Sequence, residues 1–187
     1  MSRTIANNLL ILLCIVLLAG CAATVKVLPQ GGGAVRERNE GYSLLYKLMS
    51  DESGVSKIFF LKHADDPVAS VVKEIAYFCQ SSKSQMDEFA KRDASLEYDL
   101  TDLPRIEQRA RDLEAKDETR SLLSSSGKEF ELRLIFTQLE ATNYALQLSR
   151  SLAEQEDDPS RKNFLTNMTQ RSAAFHEKLM SLLTVKS

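Results

Sequence analysis

What this chain lacks narrows its chemistry quickly. No phosphate-binding loop, no zinc-ligand spacing and no Ser-His-Asp order can be read along it. There are only two histidines, His63 and His176, and no tryptophan. A ferritin-like di-iron site needs inward glutamates plus Glu-x-x-His pairs on two helices. Position 60, three before His63, is Phe, and position 173, three before His176, is Ala, so neither pair exists. Glu74, Glu107, Glu140 and Glu177 supply only scattered carboxylates. Positive charge is not in excess: 24 basic residues stand against 26 acidic ones. That balance argues against a nucleic-acid partner, which normally requires a basic patch. No long alternating strand pattern is present either.

One motif with a mechanism is present. Arg3 precedes an apolar run, Leu9 to Leu18, which exits through Leu18-Ala19-Gly20-Cys21. A positive start, an apolar core and small residues at the exit form a secretory signal. The apolar stretch is short for a membrane span of ~20 residues, and no positive stop-transfer cluster follows. The Leu-Ala-Gly-Cys ending resembles the lipobox of bacterial lipoproteins. The resemblance covers roughly the first 22 residues. It implies a diacylglyceryl group on the Cys21 thiol, cleavage between Gly20 and Cys21, and possible acylation of the new amine. Each buried methylene adds roughly 0.8 kcal/mol of membrane affinity, so two or three chains hold where one does not. Ala22 stands where Asp favours inner-membrane retention in Gram-negative lipoproteins. The resemblance therefore implies an outer-membrane protein facing the periplasm.

The cysteine arithmetic follows. Cys14 leaves with the signal, Cys21 is spent on lipid, and Cys79 remains alone, so the mature chain has no intramolecular disulfide. Its core must hold it, which a chain of this length can do. Cys79 lies on an apolar face without an evident base, the setting of a structural rather than a nucleophilic cysteine.

The organisation expected is a signal over 1–20, the lipidated Cys21 with a flexible tether over 21–41, and a helical domain over 42–187. Gly31-Gly32-Gly33 and Pro29 argue against a helix in the tether. Tyr42, Leu45, Tyr46 and Met49 then recur at helical spacing, and Val55, Ile58, Phe59 and Leu61 make a second short segment. Asp66-Pro67 starts a long helix to about Arg92, with Val68, Val72, Ile75, Cys79, Ser82, Met86 and Phe89 on one face. After a loop over 93–103, Pro104 opens a charged helix whose apolar face is Ile106, Ala110 and Leu113. Ser124-Ser125-Ser126-Gly127 breaks it, and Ser126 with Glu129 fits a capping box. The helix over 127–155 is the most apolar, with a seam of Phe130, Leu134, Thr137, Ala141, Tyr144, Leu148 and Leu152. Leu132, Ile135, Phe136, Leu139 and Leu146 broaden that seam. Asp158-Pro159 starts the last helix, whose seam is Leu165, Met168, Phe175, Leu179 and Leu182.

These elements predict an all-α fold, an antiparallel four-helix bundle of the helices from 66 onward, with two short N-terminal helices across one end or side. The function expected is a non-enzymatic interaction or structural module, held by membrane lipid through Cys21 and serving an envelope protein partner. The charged helix over 104–123 is its candidate docking face. No catalytic, cofactor-binding or metal-binding residue is assigned, and no cofactor is implied. The alternative is a small-ligand- or metal-binding ferritin-like bundle. Its interior would be marked by Thr137, Gln138, Glu140, Thr142, Asn143 and Ser149 on the central helix. His63 is expected at a helix end and His176 at the surface beside Glu177.

Overall fold

Helical periodicity and the Asp-Pro starts translate into helices with little shift. A computed structural model describes residues 32–98 and 104–186. Gly20, Cys21 and the rest of the lipobox lie outside the described residues, as does the tether up to residue 31. Among the described residues the fold is all-α, without a strand. The helices are α1 (Gly32–Glu52), α2 (Asp66–Arg92), α3 (Arg105–Ser124), α4 (Gly127–Gln155) and α5 (Pro159–Lys186), with a 3₁₀ helix (Val55–Phe60) after α1. Residues 34–187 form one compact unit.

The N-terminal part departs from expectation. There are not two short helices but one of 21 residues followed by a 3₁₀ helix with no buried residue. Residues 33–41, expected in the tether, are helical. The helix holds three glycines, Gly32, Gly33 and Gly41, and an interior glycine costs roughly 1 kcal/mol relative to alanine. Polar contacts offset them: Arg36 Nε donates to Glu40 at 2.9 Å, and Asn39 Nδ2 donates to the Ser95 carbonyl at 2.7 Å. These contacts leave no apolar periodicity to read. Gly41 allows a close approach as well, since a Cβ there would stand 2.8 Å from Leu152 Cδ2. Beyond it Tyr42, Leu45 and Met49 are fully buried, as their spacing predicts.

The helix starts are right in position and partly wrong in chemistry. Asp65, not Asp66, is the N-cap of α2, and it makes no side-chain cap bond. Ser126 is the N-cap of α4 but also makes none, and Glu129 pairs instead with Arg133. At α5, by contrast, Asp158 Oδ1 accepts the Arg161 N–H at 2.8 Å. The break between α3 and α4 is a true turn, which Gly127 makes at φ 55°, where residues with a Cβ are strained.

Side-chain contacts set which helices meet. Between α4 and α5, Ser149 bonds Thr169 at 2.8 Å, and Thr142 meets His176 at 3.5 Å. Between α2 and α5, the Phe89–Phe164 and Phe78–Phe175 rings lie 5.4 and 5.5 Å apart. Gly41 meets Leu152, while Gln138 bonds Glu52, which joins α1 to α4. In each pair the residue number rises on one helix as it falls on the other, so the paired helices run in opposite directions.

The charged helix, expected to pack as one of four, buries little of itself. Leu122 is the only buried residue of α3, while Ile106 and Leu113 are 76% and 50% exposed. This helix runs beside α4 through polar contacts: Arg133 donates to Ser121 at 2.6 Å, and Arg111 sits over the Tyr144 ring. α1, by contrast, contributes Tyr42, Leu45 and Met49 to the core, where α3 contributes only Leu122.

Candidate functional site

Two polar constellations stand out, one inside the helices and one at an end of them. The inner one follows from a rotation of α4. Of the expected seam Phe130, Leu134 and Leu152 are buried, but between Leu134 and Leu152 the buried stripe is turned by about a residue, away from Thr137, Ala141, Tyr144 and Leu148. Leu134, Ile135, Gln138, Thr142, Ala145, Ser149 and Leu152 are buried, while Phe136 is 53% exposed. Gln138, Thr142 and Ser149 therefore face the core. Thr142 and Ser149 return hydrogen bonds to α4's own carbonyls, so their burial leaves no hydroxyl unsatisfied. Thr137 is only half-buried and bonds the Leu134 carbonyl.

Gln138 reaches farther. Its Nε2 donates to Glu52 Oε2 at 2.8 Å, across from α4 to the last residue of α1. Its Oε1 is buried without a hydrogen-bond partner. Glu52 borders a small cavity that is also lined by Met49, Ile75, Cys79, Thr142 and Ser172. The cavity holds about 10 Å³, room for roughly one water. Removal from water pushes the Glu52 carboxyl up to about 7; Asp51 and Glu118 push the same way, and the Gln138 bond opposes them. Cys79 is 3% exposed, and burial, then the charge of Glu52, raises its thiol well above the usual range. That thiol stays protonated, as a core cysteine does and a nucleophile does not.

Glu52 makes stability depend on pH with a defined sign. Unfolded, the group releases its proton near 4.5; folded, it keeps it to about 7. Between these values the folded chain binds more protons, so stability falls as pH rises and levels off above 7. Linkage puts the total loss on the order of 2–3 kcal/mol. Urea midpoints at pH 5 and pH 8 should differ accordingly in the native chain, and the difference should shrink markedly in Glu52→Gln. Equal pH dependence in both would show that Glu52 titrates normally.

The second constellation joins three parts of the chain. Glu156 follows α4 and is 1% exposed. Arg161 grips it with two bonds of 2.9 Å, and the Tyr42 hydroxyl donates to it at 2.6 Å. The same guanidinium reaches Asp93, after α2, at 2.7 Å. Burial alone would push the Glu156 carboxyl up. The Arg161 and Tyr42 bonds and the Asp158 N–H outweigh it and bring it to about 2. Asp93 is held low by the Ser95 hydroxyl and N–H, and by Arg161. All of these groups are engaged with one another, so the cluster ties α1, the end of α2 and the α4–α5 turn together. No sequence pattern singles out Glu156 and Arg161 as a pair. An Arg two residues after Asp-Pro was the nearest signal.

The remaining candidates separate. Glu74 pairs with Lys178 and Glu107 with Arg111, while Glu140 and Glu177 are exposed. His63 is exposed, and His176 is half-buried against Thr142 rather than lying free beside Glu177. Among the described residues no three His, Cys, Asp or Glu side chains gather as a metal site. No protein-family model, no curated protein and no solved structure matches this chain.

Proposed function

We propose that this chain is an envelope lipoprotein whose helical domain is a non-enzymatic interaction or structural module. The carrying observation is Leu18-Ala19-Gly20-Cys21 behind a basic start and an apolar run. In this reading Gly20 and Cys21 flank the cleavage site, Cys21 carries the lipid, and Ala22 directs the protein to the outer membrane, facing the periplasm. Among the described residues no helix is long and apolar enough to cross a membrane, so these helices supply no competing anchor. With α1 beginning at Gly32, the residues from 22 to 31 span at most about 35 Å when fully extended. The helical domain would then work close to its bilayer.

Architecturally the proposal is an antiparallel four-helix bundle, made of α1, α2, α4 and α5 rather than of the four helices from 66 onward. The opposed registers of the pairs α1–α4, α2–α5 and α4–α5 support it. In place of two short N-terminal helices, α1 completes the bundle and the 3₁₀ helix caps one end. The outlying α3 carries Ile106, Leu113 and Leu123 exposed among charges, the composition of a contact face for an envelope protein. The small-ligand or metal-binding alternative draws on the buried Gln138 and Thr142. A cavity of one water's size gives it little room.

Replacing Cys21 with Ser should move the protein from the membrane fraction to the soluble fraction and stop cleavage before residue 21. Unchanged membrane fractionation would end the lipoprotein reading. Crosslinking of the lipidated protein in its own envelope tests the module itself, and recovery of no stoichiometric partner would count against it.

A further inference from the structure

The most unusual polar pair in the molecule is Glu52 with Gln138, and it contains an unexplained atom. Gln138 is 2% exposed, its Nε2 donates to Glu52 Oε2, and its Oε1 is buried with no donor. An amide carbonyl left without a partner in the interior costs roughly 1–3 kcal/mol. Native interiors rarely leave one so. The missing donor is adjacent. A carboxyl group and a primary amide present matching edges, each with two polar atoms. In the cyclic arrangement open to such a pair, Nε2–H bonds one carboxyl oxygen and the other carboxyl oxygen stands opposite the amide oxygen. An ionised carboxylate has no proton to offer there, whereas a protonated one donates it.

We propose that Glu52 and Gln138 form a cyclic acid–amide pair: the neutral Glu52 carboxyl donates its proton to Gln138 Oε1 while accepting from Nε2, giving a proton-dependent link between α1 and α4. Burial and neighbouring like charges favour the neutral form, against the pull of the Gln138 N–H. Asp51 on α1 and Glu118 on α3 are like charges. Cys79 on α2 is a protonated thiol. On α4, besides Gln138, Thr142 borders the cavity, and α5 contributes Ser172 and Phe175 there, with His176 beyond on Thr142. Neither lysine nor arginine is among these groups. Glu52 itself is only half-buried, so its proton exchanges with solvent without unfolding. On ionisation the proton leaves to solvent, one of the two bonds is lost, and Oε1 again has no donor.

Infrared difference spectroscopy on the folded full chain tests this. At pH 6 the native chain should show a carboxylic-acid C=O band that is missing in Glu52→Gln, whose second amide can keep the pairing and the fold. In Gln138→Leu the band should shift to higher frequency as the carboxyl loses both partners. A second measurement needs no variant. The Gln138 side-chain carbonyl carbon, followed by NMR in the native chain, should shift with the same midpoint as the loss of the band between pH 6 and 9. Absence of the band at pH 6, or a Gln138 carbon that does not move through the titration, overturns the pair.

Discussion

Replacing Arg161 with alanine is expected to destabilise the folded chain by about 3–5 kcal/mol, the usual cost of removing one partner from a buried ion pair. The magnitude comes from what is left behind. Glu156 is 1% exposed, and Arg161 supplies two of its bonds and its nearest positive charge. Without the guanidinium a buried carboxylate keeps only the Tyr42 hydroxyl and the Asp158 N–H. Asp93 loses a partner too, so the end of α2 loosens from the α4–α5 turn. Tyr42→Phe removes one hydrogen bond and should cost only ~1–2 kcal/mol. The acid limb carries the same information. A folded carboxyl at about 2, against 4.5 unfolded, contributes stability that is present above 4.5 and lost as pH falls toward 2. That contribution is about 3 kcal/mol, and it should vanish from the pH profile of Glu156→Gln. Urea unfolding at several pH values measures all three variants. A loss under ~1 kcal/mol for Arg161→Ala at pH 6 would mean that the cluster is replaceable by water.

Truncating Phe130 or Leu165 to alanine should cost about 3–5 and 2–5 kcal/mol respectively, while Ile106→Ala and Leu113→Ala should stay within ~0.5 kcal/mol. Phe130 and Leu165 are fully buried on α4 and α5, so truncation leaves a cavity among closely packed helices. Ile106 and Leu113 lose little water-excluded area because α3 exposes them. Phe136→Ala belongs with the mild group despite its size, since half of it faces water. Thermal or urea unfolding of the five variants ranks them. Comparable losses in both groups would place Ile106 and Leu113 of α3 in the core.

The contrast between those groups shows where sequence patterns carry and where they stop. The α2 face was legible: Val68, Val72, Ile75, Cys79, Ser82, Met86 and Phe89 are all buried. So was the α5 seam through Leu165, Met168, Phe175 and Leu179. Each has an apolar stripe bounded by charged residues, and only one rotation buries it. On α4 apolar residues surround most of the helix, so several rotations score alike. Packing chose the one that buries Gln138, Thr142 and Ser149 and leaves Phe136 at the surface. On α3 the stripe Ile106-Ala110-Leu113 is narrow, and Ile106 and Leu113 stay exposed.

Of the polar clusters, little could be read in advance. Tyr42, Asp93 and the neighbouring pair Glu156 and Arg161 come from three separate stretches, and an Arg two residues after Asp-Pro names none of its distant partners. The same holds for Glu52 and Gln138, which are 86 residues apart in the chain.

By itself the sequence determined the all-α class and the positions where α2 to α5 begin and end, and it holds the Leu18-Ala19-Gly20-Cys21 run on which the proposed anchoring rests. These are local properties: helical periodicity, Asp-Pro starts, a serine-glycine break and a run of small residues after an apolar core each act within a few turns of chain. Tertiary structure alone decided that α1 gives Tyr42, Leu45 and Met49 to the core while α3 gives only Leu122, which way α4 faces, and that Glu52 meets Gln138 while Glu156 meets Arg161. Those outcomes depend on competition between helices for the same buried volume, and on desolvation that no single helix imposes on its own side chains.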